Sequence, residues 1–488
     1  MQPWLDSARA HAPLLMIVAP LAAAALALLA PGGRLAWAVA CLGGAVAATI
    51  ALDLALRMFV FGAVQPHAAE GAALEPGGAS VACAALLTVA AFVAMLASRA
   101  MLRHDVRTRA GPMTMALLSV ALAGWIGALF ARDLAAIFLA VETAWLAVVA
   151  LLALAGERAR GAVSAALRML IAGGVAAALM LLGVGLVERG VAGARLEALS
   201  SITVATPRLA GVGAGLIIVA LALKAGLAPL HGWIGAAYGR ASPGVALILG
   251  VVGAGGALSV LMRVSAAAIG APEVGDGVAA ALAVLATVTV VIGSIQAVGA
   301  RNVRRLAAYA GAAQAGCALV GVALGSPAGL AAALVQTLAL LAAMLALLGG
   351  ATAIDGDAPL SALDGLSRRA PIASAAMTFA LLSLMGAPLT TGFLARWRLI
   401  EAGLGAGWWW SAAVMIGGSL AAVVYGGRMI ERLYFRRATH AVEHGDRWRW
   451  ARAPALLLAV LALAWGVEPS LLLRAADAAS QLDLGEGS

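Results

Sequence analysis

The chain has 488 residues, of which 63% are hydrophobic and 11% charged, against about 25% charged in an ordinary soluble domain. With a mean hydropathy of +1.00 it cannot cover a water-facing surface, which excludes a soluble enzyme, a disordered scaffold and a secreted disulfide module. The formal charge of +9 would suggest nucleic acid in a soluble chain, but in a membrane chain it reads as orientation, and no nucleic-acid partner is expected.

The expected fold is all-α and polytopic, set in a lipid bilayer. A bilayer core of about 30 Å takes roughly 20 apolar residues per helix. Runs of that kind fall at 12–31, 36–60, 78–98, 112–131, 134–155, 162–187 and 209–233. They continue at 243–263, 277–299, 305–325, 328–352, 371–395, 405–427 and 453–474, fourteen in all. Only loops separate them, so no soluble catalytic domain is expected. The first run follows MQPWLDSARAHAP, which is too weakly basic for a signal peptide and is read as a helix.

Charge gives the orientation. Loops after odd-numbered spans carry 20 basic residues and loops after even-numbered spans carry 8. The positive-inside rule then puts the odd loops in the cytoplasm and both termini on the periplasmic side of a bacterial inner membrane. Cys41, Cys83 and Cys317 lie apart in apolar runs and read as small buried hydrophobes. With no CxxC and no Cys/His cluster, no metal and no cofactor is expected in this chain.

Few charges fall inside a span, where each is costly and needs a reason. Glu142 lies in the fifth run. Lys224 lies in the seventh and is the only lysine of the chain. Arginine keeps its proton in a protein, whereas a desolvated lysine can release one and a nearby carboxylate opposes that release. The two residues can therefore form a proton relay or a static pair that fixes helix packing. His231 follows Pro229, where a proline interrupts the helical ladder. A histidine titrates near neutral pH and can pass a proton, or can be structural. Arg168 in the sixth run and Arg396 near the end of the twelfth can set local potentials or anchor at an interface. Asp53 and Arg57 read as a surface pair, and Glu468, before Pro469, as interfacial. GVGAGL at 211–216 and GVVGAGG at 250–256 follow no strand and read as close helix packing rather than phosphate loops.

Ala-Pro-Leu occurs at 228–230 and again at 387–389, each time followed by a Gly-aromatic pair. Five spans separate the copies, and an odd offset makes them antiparallel, the pattern of an inverted repeat with broken helices. The chain then divides into residues 1–110 (helices 1–3), 111–263 (first repeat), 264–428 (second repeat) and 429–488 (a basic loop and helix 14).

At these residues the chain resembles a known family. LALKAGLAPLHGWIGAAYGRASPGVALILG is similar to the Lys…Pro-x-His-x-Trp segment of the antiporter-like subunits of complex I and of the Mrp antiporters. FARDLAAIFLAVETAWLAVVALLAL resembles the fifth helix of that family with its glutamate. LSRRAPIASAAMTFALLSLMGAPLTTGFLARW is most like the subunit N branch of NADH–quinone oxidoreductase. The resemblance runs from about residue 110 to 400, and the family too has fourteen spans. Only about a dozen residues are expected after the last span, which leaves no room for the long lateral helix of subunit L.

The resemblance implies a membrane-arm subunit that translocates protons, coupled to NADH oxidation and quinone reduction in other subunits, without a redox site of its own. Its partners would be other membrane-arm subunits. The D-type component of an Mrp monovalent cation/proton antiporter, or a membrane component of a hydrogenase-type relative, is the alternative. By position the resemblance makes Glu142 and Lys224 the relay pair and His231 the histidine after the proline break. It makes Arg168 and Arg396 supporting basic residues, and Pro229 and Pro388 the marks of the two broken helices. Three departures stand out. Gly253 or Ala254 occupies the place of a family lysine in the eighth helix, Gln314 stands where a histidine is common in the tenth, and Arg396 replaces a lysine that could have released its proton.

Overall fold

The computed structural model describes residues 11–62, 73–99, 110–154, 161–191, 193, 195–202, 208–272, 274–352, 354, 359–437 and 466–484. They form helices joined by short connections. In chain order these are α1 (Ala12–Leu29), α2 (Gly33–Phe59), α3 (Gly78–Ala97), α4 (Ala110–Phe130), α5 (Leu134–Leu154) and α6 (Ala162–Gly190). Next come α7 (Arg208–Ala225), α8 (Ile234–Arg240), α9 (Pro243–Ile269), α10 (Gly275–Gly299), α11 (Val303–Ala323) and α12 (Pro327–Ala351). The series ends with α13 (Pro371–Met385), α14 (Thr391–Gly405), α15 (Trp409–Tyr434) and α16 (Ser470–Leu484). Twelve of the described helices are long and apolar enough to cross a membrane.

The bundle is centred on α12, which is buried along its length, with α9 and α11 against it. The rim helices α1, α6 and α15 expose Leu28, Ile171 and Leu420. That is the arrangement of a chain whose solvent is hydrocarbon. Lipid removes the hydrophobic drive between helices, so close contact must hold them together. Gly183 of α6 and Gly213 of α7 supply it: a Cβ on either would strike the other's carbonyl. Gly255 and Gly256 of α9 likewise leave room for Leu341 and Trp125. The two glycine-rich stretches are thus packing surfaces. Within α9, Leu249–Ala254 is π-helical.

Two membrane spans are interrupted. The expected span 209–233 ends at Ala225, turns through 226–233 and resumes as α8. The expected span 371–395 breaks after Met385 and runs on as α14 to Gly405. Arg396 and Arg398, expected at or beyond the end of the twelfth span, therefore lie inside its second half. The breaks have the same cap. Gly226 and Gly386 adopt left-handed φ values of 74° and 76°. The amides of Gly226 and Leu227 bond back to Leu223 and Ala222, and those of Gly386 and Ala387 to Ser383 and Leu382, the Schellman pattern.

A second correspondence joins the two halves. Asp133 caps α5 by accepting from the amides of Ala135 and Ala136, and Asn302 caps α11 by accepting from Arg304 and Arg305. The preceding carbonyls, of Arg132 and Arg301, accept the amides of Leu196 and Leu360. Each of those leucines opens a short 3-10 helix.

Contacts between connections sort them into two faces. On one, Arg132 bridges Glu75 (3.0 Å) and Glu197 (2.6 Å). On the other, Arg304 donates to Ala241 O, Arg428 donates to Ala300 O, and Arg432 pairs with Asp364 at 2.9 Å. These are the even and odd connections respectively. The expected span 453–474 lies mostly outside the described residues, as does most of the basic loop before it. Its described flanks sit on opposite faces, Arg432 with Asp364 and Asp477 with Arg398. The carboxyl-terminal expectation needs correction, because Pro469 ends that run and α16 follows as a separate helix packed on α3 and α12. Glu468 is exposed and accepts a hydrogen bond from Ser470.

Candidate functional site

The site lies at the first break. Lys224 is one residue from the end of α7, so its ammonium sits at the negative pole of a half-helix. It is fully buried, and Nζ lies 2.9 Å from Glu142 Oε1 of α5. The Glu142 side chain keeps 17% of its surface accessible, although Oε1 itself is buried. The lysine is therefore sealed in the bundle and the glutamate only partly so. A buried charge of this kind is stable only while its partner stays charged.

His231 stands five residues beyond Gly226, in the turn between α7 and α8. Its Nε2–H donates to Gln296 Oε1 of α10 at 2.7 Å, which leaves Nδ1 buried and without a partner among the described residues, a lone pair able to take a proton. Pro229 lies in the same turn, and the carbonyl of Ala228 accepts from Thr289 Oγ1 at 3.2 Å. The structure thus gathers Glu142, Lys224, His231 and Pro229 at one break.

Arg168 does not join them. It lies on the exposed face of α6, because the buried face of that helix is taken by Ala165, Ala166, Met169 and Gly173. Arg396 belongs to the second break with Pro388. Its guanidinium is buried and donates to the Leu384 carbonyl, beside Cys317 and Tyr425. Nε and Nη1 of Arg396 make no hydrogen bond among the described residues.

Neutral groups lead from this second break toward the centre. Gln314 donates to the same Leu384 carbonyl at 3.4 Å, and Gln336 of α12 donates to Gln314 Oε1 at 2.8 Å. Between the breaks is a cavity of about 20 Å³. Ala225 and Gly226 border it on the Lys224 side and Gly311, Ala312 and Ala315 on the Gln314 side. That volume holds about one water. Among the described residues no group of three or more His, Cys, Asp or Glu could hold a metal ion.

Sequence reasoning passed over Trp145, Gln296 and Gln336, and used Trp233 only as part of a motif. Trp145 carried a signal, three positions after Glu142 and so on the same helix face. The glutamines carried only their polarity within apolar runs.

The broken helices and the buried ion pair define a polytopic helical membrane protein with a charged centre inside the bilayer. Residues 131–421 match the family described as NADH:quinone oxidoreductase/Mrp antiporter, transmembrane. NADH-quinone oxidoreductase subunit N of Cereibacter sphaeroides is 32% identical over 378 residues, covering 78% of this chain and 81% of that one. A chain of respiratory complex I from Thermus thermophilus superposes with a TM-score of 0.78 at 25% identity, over 95% of this chain and 98% of that chain. A chain of the Mrp complex from Dietzia sp. DQ12-45-1b gives a TM-score of 0.84 at 23% identity, over 98% of each. The chain belongs to the NADH:quinone oxidoreductase/Mrp antiporter transmembrane family.

Proposed function

We propose that this chain is a subunit N-type component of the membrane arm of an NADH–quinone oxidoreductase, translocating protons while redox chemistry proceeds in its partner subunits. The observation that carries the reading is the Glu142–Lys224 pair, 2.9 Å apart at the end of a broken helix. A static pair would serve packing equally well anywhere along α7. Here it sits at the break itself, and the turn that follows carries a histidine with a bare nitrogen, so a proton released by lysine has somewhere to go.

In this reading a change at a neighbouring subunit shifts or neutralises Glu142, the less buried member of the pair. Lys224 then loses its counter-charge in a dry site and releases a proton, and His231 is the acceptor on the far side of the break. The second half works differently. Arginine does not give up a proton, so Arg396 acts as a fixed charge, and the Gln314–Gln336 pair orders water without titrating. The two matching caps and the two matching 3-10 bridges support inverted repeats at 111–263 and 264–428. The loop charges support cytoplasmic odd loops and placement in a bacterial inner membrane.

The test is proton uptake by vesicles carrying the assembled complex. Lys224→Ala and Glu142→Gln are each expected to lower the protons moved per NADH oxidised. An unchanged ratio in either variant refutes the relay. Sodium-dependent growth in a deletion strain with normal NADH oxidation would favour an Mrp-type antiporter instead.

A further inference from the structure

Lys224 makes a second contact. Its Nζ also lies over the ring of Trp145, 4.7 Å from the centroid, within the range at which an aromatic face attracts a cation. Glu142 and Trp145 stand one helical turn apart on α5, so the ammonium meets a carboxylate and a ring presented by the same helix.

The ring is held from two sides. A Cβ at Gly173 of α6 would run into the indole, so glycine there leaves the ring its space. Trp233 meets it edge to face, with centroids 5.1 Å apart and planes at 85°. Trp233 donates its own Nε1–H to the carbonyl of Leu223, 2.9 Å away, next to Lys224. The Trp145 Nε1–H, by contrast, is buried with no partner among the described residues. An unsatisfied buried N–H costs stability, and phenylalanine or leucine would occupy the site without that cost. What an indole adds here is the strongest ring face for a cation.

We propose that Trp145 is a positioning residue for Lys224: its ring is a second contact that adds to Glu142 in stabilising the charged ammonium, so it tunes how readily the proton leaves once Glu142 is neutral or turned away. This deepens the relay reading and rests on it. The ring accepts no proton, so it stabilises only the charged lysine and sets when release occurs. The surrounding elements supply no rival among the described residues. On α6 Arg168 is exposed and Glu188 and Arg189 lie at the helix end. The π-helical part of α9 has no titratable side chain, and Arg263 of that helix donates to the carbonyls of Ala128 and Ala131. On the α8 side His231 is engaged with Gln296, and Tyr238 and Arg240 lie on the helix itself.

The test uses the whole complex in vesicles, with protons pumped per NADH measured across pH. Removing the ring face favours the neutral lysine, so the alkaline midpoint of pumping should move to lower pH. A shift of about half to one pH unit is expected for Trp145→Leu and less for Trp145→Phe. Mono-, di- and trifluorotryptophan placed at 145 should move it stepwise in the same direction, which a packing role would not do, and this series decides the matter where Trp145→Leu fails to assemble. An unmoved midpoint across the fluorinated series overturns the proposal. If Lys224→Ala abolishes pumping while that series does nothing, only the role of Trp145 falls. If Lys224→Ala pumps normally, the relay falls with it.

Discussion

Lys224 and Arg396 each lie beside a helix break, yet their surroundings differ. Lys224 has a carboxylate and a ring, whereas Arg396 has a backbone carbonyl and two nitrogens without partners among the described residues. The lysine could be picked out in the sequence because every other basic residue is arginine, and the glutamate because charge is rare inside apolar runs. The outward direction of Arg168 was not visible, because helix rotation is set by which small residues find partners. Trp145 was missed because an aromatic residue in an apolar run looks like ordinary core. At this scale Gly173→Val is the informative change, since its branched Cβ lands on the indole. Overpacking of that kind costs about 1–3 kcal/mol, so the melting temperature of the purified complex should fall. Gly174→Val, where no atom lies within 4 Å of the added Cβ, should leave it unchanged.

At the scale of elements, the breaks are set by local chemistry. Each half-helix ends where a glycine takes a left-handed φ and a proline follows within three residues. Gly226→Ala and Gly386→Ala force an L-residue into that region and also bring a Cβ against Ile234 and Arg396. Each should destabilise the assembled protein by about 1 kcal/mol or more, read as a lowered melting temperature. Gly215→Ala, mid-helix in open space, should be neutral or stabilising. The Ala-Pro-Leu echo made the breaks legible. A second echo, Ala-Arg-Asp at 131–133 and Ala-Arg-Asn at 300–302, was equally present and went unused. Its meaning lies in a cap and a bridge to a segment some sixty residues on, which no local pattern announces. The ends of the twelfth and fourteenth spans were misjudged for a related reason: hydropathy does not register a helix that stops and restarts.

Across the whole molecule the two faces carry different electrostatics. On the even face, Arg132 joins three connections through Glu75 and Glu197. Its guanidinium, hydrogen-bonded to Glu197, holds that carboxyl below the usual range, while burial pushes Glu75 up. A depressed carboxylate contributes stability that is present above its unfolded value of about 4.3 and is lost as pH falls through the folded one. Glu75 has the opposite sign, with its contribution lost as pH rises through its folded value. The melting temperature should therefore fall on acidification below about pH 4.3. Glu197→Gln should flatten that dependence, modestly because the group is half exposed to screening. If the odd loops are cytoplasmic, a reporter fused after Ser488 should be active on the periplasmic side and one in the connection at Arg301 should not.

The packing of α16 bears on how the protein is made. Asp477 holds Arg398 at 2.7 Å, and the backbone at Ala479 closes over Gly78 at the start of α3, where any Cβ would collide. The third helix is therefore covered by residues synthesised some four hundred positions later. Domains generally form as the chain emerges, amino-terminal parts first. Here that order is completed only when α16 leaves the ribosome and latches onto helices laid down at the outset. Until then the early bundle carries an open seam, and the arrival of this one helix is what closes it.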